Sequence, residues 1–87
     1  MMVKTKLAEI QEELAQQFEK VTLKGHGLSS FLYLVNKGRA VEISEDDGSL
    51  WLEFWEKSDD EDAAPVKELT VTREDHAVRE AKRWLSP

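Results

Sequence analysis

Between Phe31 and Glu56 the chain reads as three apolar segments separated by two glycine turns, and this punctuation limits the fold more than any other feature. Phe31-Leu32-Tyr33-Leu34-Val35 is a continuous apolar run, the length of a strand covered on both sides or nearly so. Asn36-Lys37-Gly38 follows. A glycine at the third position of a three-residue loop supplies the left-handed conformation that a hairpin needs. Arg39 to Ser44 then alternates, with Val41 and Ile43 on one side. Glu45-Asp46-Asp47-Gly48 is a second turn, Asp-Gly being a strong hairpin signal. Leu50 to Glu56 is the third strand. Segments joined this tightly pair antiparallel.

The flanks of this region change period. Leu7, Ile10, Leu14, Phe18 and Val21 recur at intervals of three and four, which predicts a helix over residues 7–21. Thr5 is its expected N-cap, and Gly25 can cap its end, with Lys20 and Lys24 placed late to suit the helix dipole. The β-branched pair Val21-Thr22 also allows Val21 to Leu23 to begin a short strand. Lys57 to Pro65 is a polar acidic loop, and Val66 to Thr72 is a fourth strand with Leu69 and Val71 on one face. Ala77, Val78, Ala81, Trp84 and Leu85 form the stripe of a final helix, opened by Thr72 and Asp75 in the spacing of a capping box. Asp75 and Arg79 stand one turn apart with the acid first. The expected fold is therefore α+β in the order α-β-β-β-β-α. It is a four-stranded antiparallel meander sheet, with the N- and C-terminal helices packed on one face. Residues 1–87 make a single small domain.

Register assigns the faces. With Val35 opposite Arg39, Tyr33 faces Val41 and Phe31 faces Ile43. One face then carries Phe31, Tyr33, Val35, Val41, Ile43, Leu50, Leu52 and Phe54, and this is the expected core face. The other carries Leu32, Leu34, Ala40, Glu42, Ser44, Trp51, Glu53 and Trp55. It is too apolar for a free solvent face, yet it holds two carboxylates.

Charge narrows the partners. The net charge is −6, and from Glu42 to Asp62 there are ten acids against one base, Lys57. A strongly acidic half argues against nucleic acid, whose phosphates demand Lys and Arg. Such a segment either keeps a small protein soluble or steers a basic partner toward it. There is no cysteine, which excludes disulfides, thiolate catalysis and Cys-ligated zinc and fits a reducing compartment. No apolar run reaches membrane length, and the opening Met1 to Lys6 has no apolar signal core. A cytoplasmic protein with no membrane partner is expected.

No catalytic, cofactor or metal site is expected. His26, between two glycines, and His76, early in the last helix, show no metal-ligand spacing. Asp59-Asp60-Glu61-Asp62 lacks the glycine and terminal Glu of a calcium loop. Ser29-Ser30 has no nucleophile elbow around it, and Gly25-His26-Gly27 lacks the rest of a phosphate loop. Glu42 and Glu53 are the candidate carboxylate pair, expected on one sheet face and on adjacent strands. They become acid–base candidates only if their face is covered. Helix–strand–helix order alone is shared with double-stranded-RNA-binding domains, but their basic helix start is replaced here by Thr72-Arg73-Glu74-Asp75.

Trp51 and Trp55 carry the functional expectation. Tryptophan is enriched at binding hot spots, and these two share a face with Leu32, Leu34, Glu42 and Glu53. The chain is expected to be a small acidic interaction module of inhibitor, immunity or adaptor type. Those six residues would bind a partner protein of basic or mixed charge. A homo-oligomer using the same face is the alternative, and a small enzyme of unknown class is the third.

Overall fold

A computed structural model of the chain describes residues 6–25, 29–60 and 62–86. Helix α1 (Lys6–Leu14) is followed by β1 (Lys20–Lys24), β2 (Phe31–Asn36), β3 (Arg39–Asp46), β4 (Ser49–Trp55), β5 (Lys67–Val71) and helix α2 (Glu74–Leu85). The strands form one antiparallel sheet in sequential order β1-β2-β3-β4-β5. Among the described residues no helix is long and apolar enough to cross a membrane.

The sheet has five strands where the sequence predicts four, because the first helix stops early. Its hydrogen bonds tighten after Ala15, with Gln16 N–H donating to Glu13 O and Gln17 N–H to Leu14 O. This is the three-residue spacing with which helices often end. Phe18 leaves the helix but still enters the core at 5% exposure. Val21 lies opposite Leu34 in the β1–β2 ladder, so the strand alternative at Val21 to Leu23 is the one realised. The ladder gives the backbone of Lys20 to Lys24 partners while the Val-Thr pair fits a pleated edge better than a helix. Gly25 accordingly ends β1 rather than capping a helix. Its φ is +84°, and a Cβ there would lie 2.5 Å from the Ser29 carbonyl oxygen. Thr5 lies outside the described residues.

Both hairpins in the middle of the sheet have two-residue turns. Lys37 and Gly38 have φ of 51° and 78°, and Asp47 and Gly48 have 50° and 84°. Left-handed conformation at both central positions is the requirement of a type I′ hairpin, whose twist matches that of the strands. The second turn is as the Asp-Gly signal predicts. The first corrects the expected three-residue loop. Asn36 pairs with Arg39, so Leu34 faces Val41 and Leu32 faces Ile43. Moving the register by one residue exchanges the two faces of a strand. Leu32 and Leu34 therefore belong to the core, each 0% exposed, and Phe31, Tyr33 and Val35 take the opposite face.

Both helices pack on the face of Leu32, Leu34, Val41, Ile43, Leu52 and Phe54. Leu7, Ile10 and Leu14 of α1 and Ala77, Val78, Ala81 and Leu85 of α2 join those strand residues in one cluster. No polar or charged residue is buried among the described residues. Trp84 packs edge-on to Phe54 with ring centroids 5.4 Å apart. Helix α2 begins with Arg73 as N-cap, with no side-chain cap. The expected capping box does not form. The Asp75 carboxylate instead accepts hydrogen bonds from the Arg73 guanidinium at 3.1 and 3.2 Å.

Candidate functional site: the sheet face opposite the helices

The face turned away from the helices is built from three cross-strand rows. The first holds Lys20, Val35, Ala40 and Trp55. The middle row holds Thr22, Tyr33, Glu42, Glu53 and Glu68. The third holds Lys24, Phe31, Ser44, Trp51 and Thr70. Cross-strand partners share a side of the sheet, so these are neighbours on one surface. Of the residues singled out in the sequence, Trp51, Trp55, Glu42 and Glu53 are brought together here. Leu32 and Leu34 are on the other side, under the helices. Tyr33, Phe31 and Glu68 complete the surface and escape the sequence reading. For Tyr33 and Phe31 a signal was present, because a tyrosine hydroxyl suits a wet face and the flanking Leu-x-Leu suits a dry one.

The two tryptophans are treated differently. Trp51 is 42% exposed. Trp55 is half-buried, because the acidic loop after β4 folds back over its end of the sheet. Its indole N–H donates to Ala63 O at 3.2 Å, and Ser58 N–H ties the loop to Gly38 O at 2.8 Å. Ala40, between Val35 and Trp55 in the first row, is left only 1% exposed.

Two depressions result, one at each tryptophan. A cleft of about 330 Å³ runs between the loop and the sheet, lined by Tyr33, Glu42, Trp55, Lys57, Asp60 and their neighbours. A second, of about 410 Å³, is lined by Asp46, Asp47, Ser49, Trp51 and Thr70. Each sets an indole beside carboxylates. Lys24 already places an ammonium 4.9 Å from the centre of the Tyr33 ring on this face.

The middle row gathers like charge. Glu42 stands directly opposite Glu53, and Glu53 opposite Glu68. Partial burial, then the charge of Glu53, raises the Glu42 carboxyl above the ordinary glutamate value, and Lys24 opposes this. Burial, then Glu68, raises Glu53. The carboxylates lie side by side at strand spacing, about 5 Å per step, rather than converging on one point. Among the described residues no three or more His, Asp or Glu side chains gather as metal ligands. His76 lies 3.7 Å from Glu80 on its own helix. His26 and Gly27 lie outside the described residues. The arrangement offers charge, aromatic faces and shallow relief.

No protein-family model matches the chain, and no curated protein or solved structure matches it significantly.

Proposed function

We propose that the chain is a small acidic protein-interaction module, of inhibitor, immunity or adaptor type, that docks a partner protein on the sheet face opposite its helices. The observation that carries this reading is Trp51. A large indole stands 42% exposed at the centre of a strand, flanked by the Glu42–Glu53–Glu68 row. Exposed tryptophan is an unfavourable way to finish a surface and an effective way to anchor an interface. Trp55, Glu42 and Glu53 belong to the same site, with Tyr33 and Phe31 in the positions the sequence assigns to Leu34 and Leu32.

Affinity capture from a native lysate with parent and Trp51→Ala baits tests the reading. A protein retained by the parent and lost by the variant, with the two baits melting alike, is the expected result. If every captured protein binds both baits equally, the face is not the interface. A second reading, self-association through the same face, is favoured by its charge polarity. Lys20 and Lys24 line the β1 edge and Glu68 the β5 edge, so a two-fold pairing would set bases over acids. Sizing at two concentrations separates it, because a monomer at both would exclude it.

A further inference from the structure

We propose that the occupant of this face is an extended cationic segment of a partner protein, whose Lys or Arg side chains seat against Trp51 and Trp55 and neutralise the Glu42–Glu53–Glu68 row. This rests on the face being an interface at all.

The row itself is the first reason. Like charges directly opposite on neighbouring strands destabilise a sheet. Solubility does not require this placement, since the same acids staggered among bases would keep the chain soluble without the repulsion. Stability given up at one place on a surface is what a binding site shows before its ligand arrives. Positive charge brought against Glu53, between Glu42 and Glu68, relieves the repulsion where the segment crosses the row, whereas an apolar or acidic partner would deepen it.

The depressions are the second reason. Trp51 adjoins Asp46 and Asp47, and Trp55 adjoins Tyr33, Glu42 and Asp60, with Lys57 as the one base at that cleft's wall. An aromatic face beside a carboxylate is a site for a cationic group, which gains from both. Lys24 over Tyr33 is an internal instance of the same contact. Spacing is the third reason. The two tryptophans are four residues apart on β4, about 13 Å along the strand. Two side chains four residues apart on an extended partner span that distance. With Lys20 and Lys24 holding the β1 side, the segment lies over β3 to β5.

The probe is hexalysine, with its fully acetylated counterpart as the neutral control, titrated into the full chain at low ionic strength and followed by two-dimensional NMR. Hexalysine should shift the indole signals of Trp51 and Trp55, and the acetylated peptide should not. Glu53→Lys and Trp51→Ala should each weaken binding about tenfold or more. Asp59→Asn with Asp62→Asn, which raises the net charge of the chain by the same two units as Glu53→Lys but in the loop, should change it by about twofold at most. Glu53→Gln carries the test should Glu53→Lys not fold. Equal losses in loop and face variants, or unmoved indole signals, would overturn the proposal. A captured partner that needs Trp51 but binds Glu53→Lys undiminished would leave the interface standing and remove its cationic occupant. If no partner needs Trp51, the interface fails and this inference with it.

Discussion

Lys37 is held at φ 51° in the β2–β3 turn, a conformation that an L-residue with a long side chain adopts at a cost. Asparagine tolerates it better, and Asn-Gly is the preferred central pair of such a turn. Lys37→Asn is therefore expected to stabilise the fold by about 0.5 kcal/mol, read from denaturant midpoints at constant m. Gly38, at φ 78°, has open space around it, so the cost of Gly38→Ala would be conformational rather than steric. The turn also decides which side of β2 is which, and two substitutions test that. Leu34→Ala removes a side chain with no exposure, beneath the helices, and should cost about 2–5 kcal/mol. Trp51→Ala removes a larger side chain yet should cost under about 1 kcal/mol, because Trp51 is 42% exposed and lies outside the core beneath the helices. Equal losses at the two positions would contradict the register.

At the scale of elements, β3, β4 and β5 are held together by an apolar face and pushed apart by an acidic one. Glu42, Glu53 and Glu68 face one another across these strands, with the Tyr33 ring and Lys24 as the neighbouring groups. The carboxyls of Glu42 and Glu53 are raised in the fold, so the folded state binds their protons more tightly than the unfolded chain does. The stability this confers is fully present below the ordinary glutamate value of 4.5 and is lost as pH rises through the raised values. Glutamine mimics the protonated form at every pH. The Glu42→Gln/Glu53→Gln double variant should therefore match the parent near pH ~4 and exceed it near pH ~7, by about 0.5 kcal/mol. Urea melts at the two pH values check this, and a gap that shrinks as pH rises would reverse the sign. The end of α1 belongs to the same scale. The periodic stripe through Phe18 and Val21 is real, since both residues contribute to the core, but it is shared between a helix and a strand.

For the molecule as a whole, the C-terminus of α2 is sewn to the sheet by polar bonds at the rim of an apolar core. Asn36 Nδ2 donates to Leu85 O at 2.7 Å, Arg39 Nη1 to Trp84 O at 3.3 Å, and Trp84 Nε1 to Trp55 O at 3.0 Å. The Arg39 guanidinium also lies 4.5 Å from the centre of the Trp84 ring. The last carbonyls of a helix lack partners within it, and here the β2–β3 hairpin supplies two of them. Asn36→Ala should cost about 1 kcal/mol. Hydrogen exchange should show faster opening in the last turn of α2 than in β3. Unchanged protection there would show that packing alone holds the helix.

The sequence by itself determined the types of nearly all elements, the presence of two central hairpins, and the sharing of one sheet face by both helices. These follow from local causes. Glycine after Lys37 and Asp47 permits left-handed turns, and the apolar stripes of α1 and α2 each need a surface to cover. It also placed Glu42, Glu53, Trp51 and Trp55 together, because they lie on β3 and β4 and the Asp-Gly turn joins those strands in a single parity. Tertiary structure alone decided two things. One is the fifth strand: the stripe that runs through Val21 fits a continuing helix as well as an edge strand, and only the free edge of β2 tips Lys20 to Lys24 into the sheet. The other is the sidedness of β2. Side chains alternate with a period of two, so a turn of two residues rather than three sends Leu32 and Leu34 inward and Phe31 and Tyr33 outward. The Tyr33 hydroxyl leans toward the wet side, but every residue of that run is apolar enough for either, and the core beneath the helices, which takes the aliphatic pair, decides between them.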